Sequence, residues 1–185
     1  MVLVPFVLFV LPTLLVAVAL LLAFKGSPGE CSAGRQVITS AALSQSYEQH
    51  WLQFQAQLTS GRPASLTVND SEATSRTQDF LATTGAPVHD VRLCFVPGGA
   101  DVNGTISTPF GANIDVRLKG SADLSGQHPR ANIDSIKIGG LPSFVTRPFT
   151  GLVTRMVDDQ TNRVELDHRL SVQIAEGQAE ISGEP

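Results

Sequence analysis

Apolar residues fill the start of the chain almost without a break and then thin into two kinds of pattern. Within residues 1–24 only Pro5, Pro12 and Thr13 are not apolar. At ~1.5 Å per residue such a run makes roughly 36 Å of helix, enough for a ~30 Å hydrocarbon core. The run exceeds the ~7–15 residues of a signal-peptide core and has no Lys or Arg ahead of it. Residues 1–25 are therefore expected to anchor the chain in a membrane. The competing reading is a signal peptide cleaved near Cys31-Ser32-Ala33. Residues 26–35 hold Gly, Ser and Pro and read as a tether.

The next pattern is helical. Leu43, Tyr47, Trp51, Phe54 and Leu58 recur every three or four residues and form one apolar stripe, which predicts a helix over 36–59. Ser60-Gly61-Arg62-Pro63 stops it. Two readings of the stripe stand: packing on the domain, or Tyr47, Trp51 and Phe54 touching the membrane interface. The helix lacks a basic polar face, which favours packing. After a short extended piece at 65–68, Asn69 or Asp70 caps a second helix over about 71–82.

From there the period falls to two. Val91, Leu93 and Phe95 share one face of a strand over 88–96. Pro97-Gly98-Gly99-Ala100-Asp101 reads as a turn, and 102–107 returns. Over 112–124 the alternation is unbroken, with Ala112, Ile114, Val116, Leu118, Gly120, Ala122 and Leu124 on one side. At ~3.3 Å per residue this strand spans roughly 43 Å, against a usual ~17–20 Å. In the next strand Ala131 and Ile133 give way to Ile136 and Ile138, so a bulge is expected near Asp134-Ser135. A helix is expected over 142–161. A hairpin then follows, with Leu166, Leu170, Val172 and Ile174 ahead of a Glu176-Gly177 turn and Ala179 and Ile181 beyond it. This order predicts an α+β domain over 64–185, with an antiparallel sheet whose apolar face a helix must cover.

Composition narrows the function. The 185 residues carry a formal net charge of −4 and no Lys/Arg cluster, which argues against a nucleic-acid partner. Two cysteines cannot build a disulfide-dense scaffold or a four-thiolate zinc site. Cys31 and Cys94 pair most simply if the domain is exported, or else remain two thiols that never meet. Lys25 directly after the apolar run is a single vote for a cytoplasmic C-terminus. The long polar domain behind it favours the outside instead. Asn69-Asp70-Ser71 and Asn103-Gly104-Thr105 fit the glycosylation sequon.

Catalytic chemistry has no foothold in the motifs. His50, His89, His128 and His168 are scattered, no nucleophile elbow frames a serine, and Gly98-Gly99 and Gly139-Gly140 lack phosphate-loop spacing. No catalytic residue, metal or cofactor is expected. Small residues on a long strand opposite a Phe- and Val-rich helix leave two possibilities. They interdigitate into a closed core, or they leave an elongated apolar groove. Each CH₂ buried in such a groove contributes about 0.8 kcal/mol.

The segment "LTVNDSEATSRTQDFL" (66–81), then "VHDVRLCFVPGGADVNGTI" and "IDSIKIGGLPSFVTRPFTGLVTRMVDDQ", resembles the YpmS-like and LmeA-like anchored extracytoplasmic proteins of bacteria. These are similar in shape to the tubular lipid-binding (TULIP, BPI-like) superfamily. The likeness covers roughly 65–183. Its best motif is Ile136-Lys137-Ile138-Gly139-Gly140-Leu141-Pro142, after which Ser143-Phe144 stands where the family often has a second proline. The resemblance implies a long curved antiparallel sheet wrapped on a long helix, with lipid between them, in a single-pass protein of the cell envelope. The lining it implies is Val116, Leu118, Ile136, Ile138, Phe144, Phe149 and Leu152. Membrane lipid is the partner it implies. An ectodomain scaffolding envelope proteins around a closed core is the alternative.

Overall fold

The computed structural model describes Cys31 and residues 34–85, 88–107, 113–140 and 166–185. The expected membrane helix, the expected helix over 142–161 and the site residues Phe144, Phe149 and Leu152 lie outside these. Among the described residues no helix is long and apolar enough to cross a membrane. The described part is α+β, with two helices and seven strands: α1 (Ala41–Thr59), β1 (Ala64–Asn69), α2 (Asp70–Thr84), β2 (Val88–Val96), β3 (Gly99–Ser107), β4 (Asn113–Asp123), β5 (Arg130–Ile138), β6 (Arg169–Ala175) and β7 (Gln178–Glu184).

The helix expected from 36 begins five residues later. Val37, Ile38 and Thr39 are β-branched and lose side-chain freedom in a helix. Ser40 is extended, and its hydroxyl accepts the Leu43 amide, which sets the start. The stripe does pack inward: Phe54 and Leu58 are buried, with Tyr47 and Trp51 half-buried against the same core. In α2, Asn69 caps the helix in a reciprocal box. Its Oδ1 accepts the Glu72 amide at 2.9 Å, while Glu72 Oε2 accepts the Asn69 amide at 3.3 Å. Gly85 closes the other end in the left-handed conformation.

The strands divide between two antiparallel sheets rather than the single one expected, in the orders β1-β7-β6 and β2-β3-β4-β5. β1 adds to the C-terminal hairpin, with Leu66 opposite Ile181 and Val68 opposite Ala179. The expected turn over 97–101 shrinks to Pro97-Gly98, because Gly98 at φ 78° makes the reversal in two residues. Ala100 and Asp101 are therefore strand residues. The bulge stands where expected: Lys119 faces Ser135 while Gly120 faces Ile133, so Asp134 is the extra residue.

α1 closes on the smaller sheet at Gly183. A Cβ there would stand 2.8–2.9 Å from the methyls of Leu58 and Leu170, so the helix approaches only over a bare backbone. α2 instead seals the edge of the larger sheet. Asp70 Oδ1 accepts the Phe95 amide at 2.6 Å. Thr74 Oγ1 accepts the Leu93 amide at 2.9 Å and lies 3.2 Å from the Leu93 carbonyl, to which it donates. Gln78 Nε2 donates to the Val91 carbonyl at 2.7 Å. Four helical residues rise ~6 Å and two strand residues ~6.6 Å, so side chains at every fourth helix position meet every second strand residue. The exposed edge that would otherwise template aggregation is thereby occupied. Thr74 is fully buried. Thr74→Val keeps its shape and strands the Leu93 groups, so it is expected to cost about 1–3 kcal/mol in urea unfolding.

Candidate functional site

The two sheets turn their apolar faces toward each other. In the smaller sheet one face carries Val68, Ala179 and Ile174 in one row and Leu66, Ile181 and Val172 in the next. In the larger sheet Leu93, Val102, Leu118 and Ile136 make one row, and Phe95, Ala100, Gly120 and Ile133 the next. Directly opposed partners share a face, so strand alternation alone segregates these residues from the polar ones.

Between the sheets lies a cavity of about 390 Å³. The smaller sheet lines it with Val68, Val172, Ile174, Ala179 and Ile181. The larger sheet supplies Leu93, Phe95, Ala100, Val102 and Leu118, continuing over the short side chains of Ala122 and Ala131. Gly120 presents only backbone. The helices add Tyr47 from α1 and Ala73, Arg76 and Thr77 from α2. The volume sits at the small end of the ~300–1,000 Å³ of ligand sites.

Polar groups in the lining are few. Arg76 is its one charged side chain among the described residues. The guanidinium is about one-third exposed, and its Nη1 stands 3.4 Å from Asp79 and 3.7 Å from Glu48. It is the partly hydrated part of the lining. The Tyr47 phenol is pushed above its ordinary pKa by burial, with Arg76 pulling the other way, so it stays a neutral donor at physiological pH. Among the described residues no three His, Cys, Asp or Glu side chains converge to hold a metal.

Of the residues proposed as lining, Leu118 borders the cavity. Val116, Ile136 and Ile138 lie on the same face of the sheet as Leu118, with Ile136 buried. Their side chains do not reach the cavity wall as described. Phe95, Val102, Val172, Ile174, Ala179 and Ile181 line it too, although the sequence marks them only as strand residues. Each carried the alternation signal, but that signal does not say which two faces meet. Cys31 and Cys94 are bonded, with Cα atoms 5.6 Å apart. Asn103, the second sequon asparagine, is buried at 2% exposure, which leaves no room for a glycan on the folded chain. Asn69, the first, is committed to capping α2.

Compared with family models, curated proteins and solved structures, the chain matches none.

Proposed function

We propose that this chain is a membrane-anchored extracytoplasmic protein that holds a lipid acyl chain, or a similar apolar ligand, in the cavity between its two sheets. The observation that carries the reading is the apolar cavity itself, lined by both sheets and two helices, with Arg76 its one charged side chain among the described residues. Filled interiors are the norm, so a space of this size and polarity calls for an occupant. Its volume fits a single acyl chain better than a whole multi-chain lipid. Arg76, beside Glu48 and Asp79, is the charged side chain of the lining among the described residues and offers a polar end to such a ligand. The Cys31–Cys94 bond supports an oxidising compartment outside the cytoplasm. The apolar run of residues 1–24 supports an anchor there. The resemblance to YpmS-like and LmeA-like proteins of the TULIP type points toward the same ligand class.

Native mass spectrometry of the full chain tests this, with protein released from its own membrane and from a foreign host. The expected result is a reproducible added mass that solvent extraction recovers as lipid. A bare mass in both preparations would overturn the reading and favour an ectodomain that scaffolds envelope proteins.

A further inference from the structure

The two sheets meet at one corner, where the Pro97-Gly98 turn of the larger sheet lies beside the Glu176-Gly177 turn of the smaller. Gly98 N donates to the Ile174 carbonyl at 3.0 Å, and Gly177 N donates to the Phe95 carbonyl at 3.1 Å. Phe95 and Ile174 also line the cavity, one from each sheet. The corner therefore fixes how far apart two of the cavity's walls stand. Among the described residues one other backbone bond links the two halves, Leu166 N to Gln127 O at 2.8 Å, and it belongs to the β4–β5 turn. Across the cavity itself the facing side chains forfeit the contacts that a filled core would make. Cohesion between the sheets near Phe95 thus rests heavily on the corner.

Arg35 fastens that corner. Its Nη2 donates to the Phe95 carbonyl at 2.7 Å, its Nη1 to Glu176 Oε1 at 2.7 Å and its Nε to Asp70 Oδ2 at 3.0 Å. One planar fork thus holds β2, the β6–β7 turn and the start of α2. It lies over Gly177, whose φ is 82° and where a Cβ would stand 3.6 Å from the Arg35 Nε. Phe95 is gripped on both sides. Its carbonyl also takes the Gly177 amide, and its own amide donates to Asp70 Oδ1 at 2.6 Å. Its side chain is buried at the cavity wall, whereas Arg35 is not part of the lining. We infer that Arg35 is the latch of the cavity: its fork holds Phe95 in the closed position, and its release sets the rate at which an apolar chain enters and leaves. The inference rests on the proposed function and adds the control of that same site. A latch that does not touch the ligand stabilises the closed protein equally with and without it. Losing the latch therefore speeds entry and exit by the same factor and leaves the affinity in place.

Stopped-flow transfer of cis-parinaric acid, a fluorescent single-chain fatty acid, tests this, with the delipidated full chain exchanging the probe with phosphatidylcholine vesicles. Arg35→Ala is expected to raise both the binding rate and the release rate at least about tenfold, the worth of one charge-assisted hydrogen bond. The dissociation constant should stay within about twofold of the wild type. Guanidinium ion at low-millimolar concentration should slow exchange again in Arg35→Ala and leave the wild type unaffected. Glu176→Gln, at an exposed site, weakens one of the three bonds and should raise both rates about two- to fivefold. It carries the test where Arg35→Ala does not fold. Unchanged rates in the variants that fold, or faster release alone with weaker affinity, would overturn the latch while leaving the cavity reading intact. A wild-type chain that takes up no probe would overturn the proposed function and the latch together.

Discussion

Replacing Ala100 with leucine is expected to exclude the proposed acyl chain and to raise, not lower, the stability of the ligand-free protein. Ala100 borders the cavity from the start of β3. Its cross-strand partners are Phe95 on one side and Gly120 on the other, and Gly120 contributes no side chain. A leucine there has bare backbone beside it and about 390 Å³ of space ahead of it. Three added carbons buried in that space are worth about 2 kcal/mol at most at ~0.8 kcal/mol each, so a gain of about 1–2 kcal/mol is expected. A closed core would respond with the opposite sign, since overpacking costs about 1–3 kcal/mol. Urea unfolding of delipidated Ala100→Leu therefore separates the lipid-holding and scaffolding readings by the direction of the midpoint shift. Delipidation matters because a retained ligand stabilises the wild type by mass action and would mask the gain. Native mass spectra of the same variant should lose the added mass. A less stable protein that still carries lipid would remove Ala100 from the site.

The local patterns of this chain were plain in its sequence, and its long-range geometry was not. Alternation placed Val116, Leu118 and Ile136 on one face because a strand's side chains can go to only two sides. The phase slip at Asp134 marked the bulge for the same reason. The division into two sheets left no local trace. Leu66 pairs with Ile181, and no window of a dozen residues contains both. α2 was legible as a helix but not as an edge seal. Asp70, Thr74 and Gln78 are polar, and polarity alone does not tell that they hydrogen-bond the open side of β2. Their spacing of four was the available signal. Asp101 was lost inside an expected turn, and with it the buried pair to Arg117.

Loss of the Cys31–Cys94 bond is expected to be the most destabilising change in the described part of the chain. The two residues are 63 apart in sequence. Closing a loop of that length removes conformational entropy from the unfolded chain worth about 4 kcal/mol, with measured effects commonly about 2–5 kcal/mol. The folded state changes far less. Both sulfurs are buried, Cys94 fully and Cys31 nearly so, and a reduced thiol packs as a small apolar group. The effect should therefore appear as a lower urea midpoint together with a steeper dependence on urea, because the freed unfolded chain exposes more surface. A second clasp limits the damage. Arg35, four residues beyond Cys31, donates to Asp70 at 3.0 Å, to Glu176 at 2.7 Å and to the Phe95 carbonyl at 2.7 Å. It ties the tether to α2, to the C-terminal hairpin and to β2 at one point. Cys31→Ser and Arg35→Ala act on the same segment, so their combined cost should differ from the sum of the two by more than about 0.5 kcal/mol. Additivity within that margin would mean that the disulfide and the arginine hold independent parts of the fold. An unchanged midpoint after full reduction, confirmed by alkylation of both thiols, would mean that Arg35 alone fastens the tether.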